Sequence, residues 1–117
     1  MAWIDFNLFN LVRVNNLTLG DFHASAGCAW ITNPPQTITG AVTGSCRANV
    51  SNQGQVDATY YLSGEQAVFV SFTCKVNNDR LTISTFSSST DYKVEKNYID
   101  KGNNEFLVNI DYRPAAG

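Results

Sequence analysis

Hydrophobic residues along this chain recur at every second position rather than every third or fourth. From Val56 to Leu62, the apolar Val56, Ala58, Tyr60 and Leu62 alternate with Asp57 and Thr59. From Ala67 to Cys74, Val68, Val70 and Phe72 share one parity against Ala67, Ser71 and Thr73, and Phe69 breaks the alternation. A period of two in β-branched and aromatic residues predicts strands, and the Gly-bearing connector Ser63-Gly64-Glu65-Gln66 joins them into a hairpin. Trp3 to Asn10 alternates in the same way, with Ile4, Phe6 and Leu8 facing inward and Asp5 and Asn7 outward. Further strands are predicted from Leu17 to about Ser25, over Thr37 to Val42, Leu81 to Thr85 and Tyr92 to Lys96, and most cleanly through Phe106, Val108, Ile110 and Tyr112.

Turn chemistry separates these runs. Asn15-Asn16, Asn77-Asn78-Asp79, Ser87 to Thr90 and Asp100 to Asn104 supply the Asn, Asp, Gly and Ser that tight turns need. Pro34-Pro35 forbids regular pairing there, and Trp30 is expected in the same irregular stretch. Gly44-Ser45-Cys46 is expected to lead into a polar link from Ala48 to Gly54. Short strands at turn spacings of about ten residues, with no helical period, predict one all-β domain over 1–117, an antiparallel sandwich of about eight to ten strands.

Composition narrows the function. At 117 residues the chain can build a core without disulfide staples. Only 15% of its residues are charged and the net charge is −2, which leaves no basic stripe for nucleic acid. From Phe22 to Cys46 there is no Asp, Glu, Lys or Arg. A neutral polar surface of this kind suits sugars, zwitterionic headgroups or protein partners. The three cysteines (Cys28, Cys46 and Cys74) have no paired spacing and only His23 to join them, so no metal site or cofactor is expected. The odd count leaves at least one free thiol. No apolar run reaches the length of a membrane span, and Met1-Ala2-Trp3 lacks a basic leader. A cytoplasmic chain, an unconventionally exported one and a mature secreted one all fit that opening. The sequons at Asn16 and Asn49 matter only on the secretory route.

Catalytic groups are sparse. Nucleophilic chemistry needs a thiol or hydroxyl beside an oriented base, and His23 is the only imidazole, in a strand pattern beside Phe22. The acids are dispersed over outward strand positions and turns, and no phosphate-cradling glycine loop occurs. The chain is therefore expected not to be an enzyme. Trp3, on the outward parity of its strand, and Trp30 have two readings. Indole suits headgroup levels and sugar faces, but it also caps the ends of sandwich cores.

In order of features the chain resembles the aegerolysin family of small acidic β-sandwich proteins. The resemblance lies in the Trp-bearing opening strand ending at Asn10, Ser25-Ala26-Gly27, Thr37-Ile38, and Ser45-Cys46-Arg47 running to Gln53-Gly54. It continues through Phe72-Thr73-Cys74-Lys75-Val76, Tyr92 to Glu95 and Gly102 to Tyr112. The departures are Ala26, Phe72 and Val76 where the family carries tryptophans, and Gln53 where it carries Glu. The resemblance implies binding to sphingolipid-type headgroups at a membrane surface, in some members with a perforin-like partner that makes pores. On that basis Trp3 and Trp30 are expected to anchor at the interface, with Arg47, Gln53 and Lys75 contacting the headgroup. Two rivals stand beside this: a lectin-like module with a glycan ligand, and a structural or inhibitor-like domain that pairs through a sheet edge.

Overall fold

A computed structural model describes residues 1–65 and 67–116. Ten strands follow one another: β1 (Ala2–Asn10), β2 (Leu17–Ala24), β3 (Ala29–Thr32), β4 (Thr37–Ile38), β5 (Thr43–Val50), β6 (Gln55–Leu62), β7 (Phe69–Asn77), β8 (Arg80–Ser87), β9 (Tyr92–Gly102) and β10 (Glu105–Pro114). They form two five-stranded sheets, ordered β3-β5-β1-β10-β9 and β4-β2-β6-β7-β8, and no helix occurs among the described residues. The fold is an all-β sandwich. All pairs are antiparallel except β1 with β10, where Trp3 to Asn10 run alongside Glu105 to Tyr112.

The core follows from the alternation. Ile4, Phe6 and Leu8 of β1 and Phe106, Val108 and Ile110 of β10 face Val56, Ala58, Tyr60, Val70, Phe72 and Cys74 of the other sheet, all buried. Phe6 and Phe72 meet between the sheets with ring centroids 5.3 Å apart. Two turns fit their residue types closely. Asn78 and Asp79, and Asn103 and Asn104, all take positive φ (51°, 63°, 56° and 58°), the mirror-image turn that matches strand twist and that Asn and Asp tolerate. The three cysteines are free: Cys46 and Cys74 are buried, and Cys28 is half-buried.

Some expected boundaries move. The run from Ala48 to Gly54 is not a link, because β5 continues to Val50 between β3 and β1. Its inward side chains, Cys46, Ala48 and Val50, are small and alternate with polar Arg47 and Asn49, so the strand is faint as a hydropathy pattern. Trp30 lies in strand β3 rather than in a loop. Thr37 to Val42 pairs only over Thr37–Ile38, because Ala41 takes a φ of 65° to turn into β5. The hairpin's second strand begins at Phe69, since Ala67 also has positive φ, and Gln66 of the expected connector lies outside the described residues. Finally, β9 runs past Lys96 to Gly102 as an edge strand, its last residues exposed on both parities.

Candidate functional site

One end of the sandwich is organised by a buried amide. Asn10 closes β1 with no exposed surface. Its Nδ2 donates to Asn15 O and to Ile38 O, both at 2.9 Å, and its Oδ1 accepts from Val12 N at 3.1 Å. The backbone adds Asn10 N to Val42 O and Ala41 N to Asn10 O. The turn over residues 11–16 and the loop over residues 39–42 are thereby tied together. Gly40 allows the approach, since a Cβ there would meet Arg13 O at 2.2 Å. Asn15 and Asn16 in turn bond Ser63, which brings the β6–β7 connection to the same end.

The loops so fixed present apolar tips. Val14 is 91% exposed, with Val42 and Leu11 also exposed beside it. Behind them lies an open groove of about 1040 Å³, lined by Leu11, Arg13, Val14, Asp91, Tyr92 and Arg113 among others. Tyr92 stacks on buried Tyr112 at 5.5 Å, which fixes its ring. Arg113 is already committed, its Nη2 donating to Asp111 at 3.1 Å and its Nε 3.2 Å from Glu95. Arg13 forms no ion pair among the described residues. The groove therefore offers one free cation, one carboxylate at Asp91 and one aromatic ring.

The residues singled out from sequence do not converge on this end. Trp3 and Arg47 do meet each other. The guanidinium lies 4.9 Å from the indole centroid, on the outer face of the first sheet, and also bonds Asp5 at 3.1 Å and approaches Glu105 at 3.5 Å. Trp3 lies at the far end of β1 from Asn10, roughly 20 Å away at the usual strand rise. Gln53 occupies the β5–β6 turn with a φ of 64°, its N–H bonded to Val76 O. Lys75 is exposed on the outer face of the second sheet, opposite Gln55 and Thr82. Trp30 is half-buried, its ring 5.3 Å from Phe6 and 6.4 Å from Phe72, with Nε1 donating to His23 O at 3.0 Å. That is a core cap.

A second surface was not anticipated from sequence. Tyr61, Phe69 and Phe86 stand side by side on the outer face of the second sheet, with centroids 5.8 Å and 5.7 Å apart. The only signal in the sequence was Phe69, the residue that breaks the alternation. Cys28 is a third polar point. Burial pushes its thiol up, but hydrogen bonds from Ser25 and Ser51 outweigh burial and leave it below the ordinary value.

No family model and no curated protein matches this sequence. Solved structures do. RahU protein, crystallised in complex with a Tris molecule, superposes with a TM-score of 0.72 over 97% of this chain and 95% of its own, at 10% identity. The wild-type Xerocomus chrysenteron lectin XCL gives 0.67 over 95% and 98%, at 8% identity. The chain shares their fold. At such identities the likeness carries the architecture, a related β-sandwich, and no particular function or ligand.

Proposed function

We propose that this protein is a non-enzymatic, aegerolysin-like module that binds a neutral membrane lipid through the loop end held by Asn10. The observation that carries the reading is Val14, 91% exposed at a turn tip with Leu11 and Val42 beside it. Full burial of a Val or Leu side chain is worth about 1.5–3 kcal/mol, so three tips supply a gross attraction on the order of several kcal/mol. The groove behind them offers Arg13 to a phosphate, and Asp91 with the face of Tyr92 to an ammonium. This charge pair complements a zwitterionic headgroup of the sphingolipid type. A perforin-like partner enters only through the resemblance. The non-enzymatic part is supported by the lack, among the described residues, of a hydrogen bond between the imidazole and a thiol: the His23 ring bonds Asp57 at 2.8 Å, and the Cys28 side chain meets Ser25 and Ser51.

Trp3, Arg47 and Gln53 then lie away from the bilayer and Trp30 caps the core, so interfacial anchoring passes from the indoles to the apolar tips. Vesicle co-sedimentation tests this. Val14→Asp is expected to abolish binding to zwitterionic vesicles with an unchanged circular dichroism spectrum, and wild-type binding is expected to persist at 1 M salt, where screening falls to about 3 Å. Binding only to anionic vesicles, lost with salt, would sink the reading. A second reading, a lectin-like module, is favoured by the row of rings at Tyr61, Phe69 and Phe86 and by the lectin among the structural neighbours.

A further inference from the structure

We infer that the row Tyr61, Phe69 and Phe86 is a stacking platform for the neutral sugar headgroup of a membrane glycolipid, an inference that rests on the loop-end reading for its membrane contact. Rings on the solvent side of this sheet need a reason, because the other outward positions of β6, β7 and β8 are polar. Here three rings from β6, β7 and β8 touch in sequence, with Tyr61 46% and Phe86 55% exposed. The chain also makes room for them. A Cβ at Gly20 would fall 2.2 Å from Tyr61 Cε2, so the tyrosine ring lies down over the bare backbone of β2. A ring seated on a sheet in this way is held in place before any ligand arrives, which lowers the ordering cost of binding.

The neighbouring positions decide the occupant. Across the strands beside the rings come Asp21, Thr59 and Ser71, and one step further Thr73 and Ser84. Among the described residues none of these hydroxyls is taken up by another side chain, and the Asp21 carboxylate has no ion-pair partner. Free hydroxyls and a free carboxylate match the donors and acceptors of a sugar ring, whose C–H face covers the aromatic face. An acyl chain would cover the rings and leave those hydroxyls unmatched. An anionic ligand on the rings would find no cation beside them among the described residues, since His23 is bonded to Asp57 at 2.8 Å and Lys75 stands three outward positions beyond Phe69 on β7.

The platform is continuous with the loop end. Tyr61 is two residues from Ser63, which bonds Asn15 and Asn16 of the tip turn, and Phe69 N–H bonds Ser88 next to the loop that carries Asp91. A lipid whose bilayer meets Val14 therefore displays its headgroup within reach of the rings.

The test compares phosphatidylcholine vesicles with and without glucosylceramide, and an overlay of glucosylceramide immobilised without a bilayer. Wild type is expected to bind glucosylceramide vesicles about tenfold more tightly, equivalent to about 1.4 kcal/mol. Phe69→Ala with Phe86→Ala should erase that gain and the overlay signal while keeping binding to plain vesicles. Phe86→Ala alone, at an exposed position, gives the same readout if the double variant fails to fold. Equal binding to both vesicle types with a blank overlay overturns the inference and leaves the loop-end reading intact. A positive overlay lost in the variants, with no vesicle binding at all, overturns the loop-end reading and keeps the sugar platform.

Discussion

The two outer faces of the sandwich are built from the same kinds of polar residue and end up in opposite states. On the first sheet, side chains close upon one another across the strands. Ser45 Oγ donates to Asn7, Asn7 Nδ2 donates to Asn109 at 3.2 Å, and Asn109 Nδ2 donates to Asn97 at 3.0 Å, a ladder across four strands. Beside it Arg47 joins Asp5, Glu105 and the Trp3 ring, and Arg113 joins Asp111 and Glu95. On the second sheet, Thr59, Ser71, Thr73 and Ser84 stand beside the ring row with no side-chain link among the described residues. Cross-strand pairing stabilises a face but uses up the groups that a ligand would need. The first face is finished surface; the second keeps its hydrogen-bonding capacity for something else.

The limiting case of closure is Asn10, which spends its whole amide inside the protein. Asn10→Ala leaves Val12 N–H and the carbonyls of Asn15 and Ile38 without their partner, each lost bond to a buried group costing about 1–3 kcal/mol. A loss near 3 kcal/mol in urea unfolding is expected, together with weaker vesicle binding because the tips come untied. A variant as stable as wild type would show that the two loops hold themselves without it.

How much of this was legible in the sequence depends on side-chain size and on position in the sheet. Strong alternation with large residues, as in Ile4-Phe6-Leu8 and Phe106-Val108-Ile110, gave strands, faces and the sandwich class. β5 was hidden because its inward residues are Cys46, Ala48 and Val50, with the bulk on that side supplied by Phe6 and Trp30. The far half of β9 was hidden because an edge strand extending beyond the core has no inward apolar requirement. Trp30 was misplaced for a related reason, since β3 has only four residues and no room for a period. Asn10 was visible as a strand end, but its knot joins residues 28 positions apart. The ring row depends on three strands in register, and one sequence offers only Phe69 as a clue.

A milder substitution tests the contrast directly. Asn109→Ala removes two rungs of the closed ladder, to Asn7 and to Asn97, and at partly exposed positions a loss of about 1 kcal/mol is expected. Ser71→Ala, at the corresponding position of the open face, should stay within about 0.5 kcal/mol. Chemical denaturation of the pair against wild type measures both. If Ser71→Ala costs as much as Asn109→Ala, the open face is bound into the fold after all, and its hydroxyls are not free for a ligand.

The smallest expected effect concerns the one side-chain link that the open face makes among the described residues. His23 Nδ1 lies 2.8 Å from Asp57 Oδ1, on exposed strand positions facing each other across β2 and β6. The hydrogen bond to Asp57, then that carboxylate's charge and a weaker contribution from Asp21, raise the imidazole above its ordinary 6.5. A group whose folded value is raised contributes stability that is fully present below 6.5 and is lost as pH rises through the folded value. The ring is open to water, so solvent screening keeps that contribution slight. Titration of the His23 ring protons by NMR should give a value above the ordinary 6.5, and Asp57→Asn should lower it toward that ordinary value. A titration indifferent to Asp57→Asn would mean that the imidazole is not held by the carboxylate. Asp57 would then join Asp21 as a free acceptor beside the rings, and the second face would be more open than its one hydrogen-bonded pair suggests.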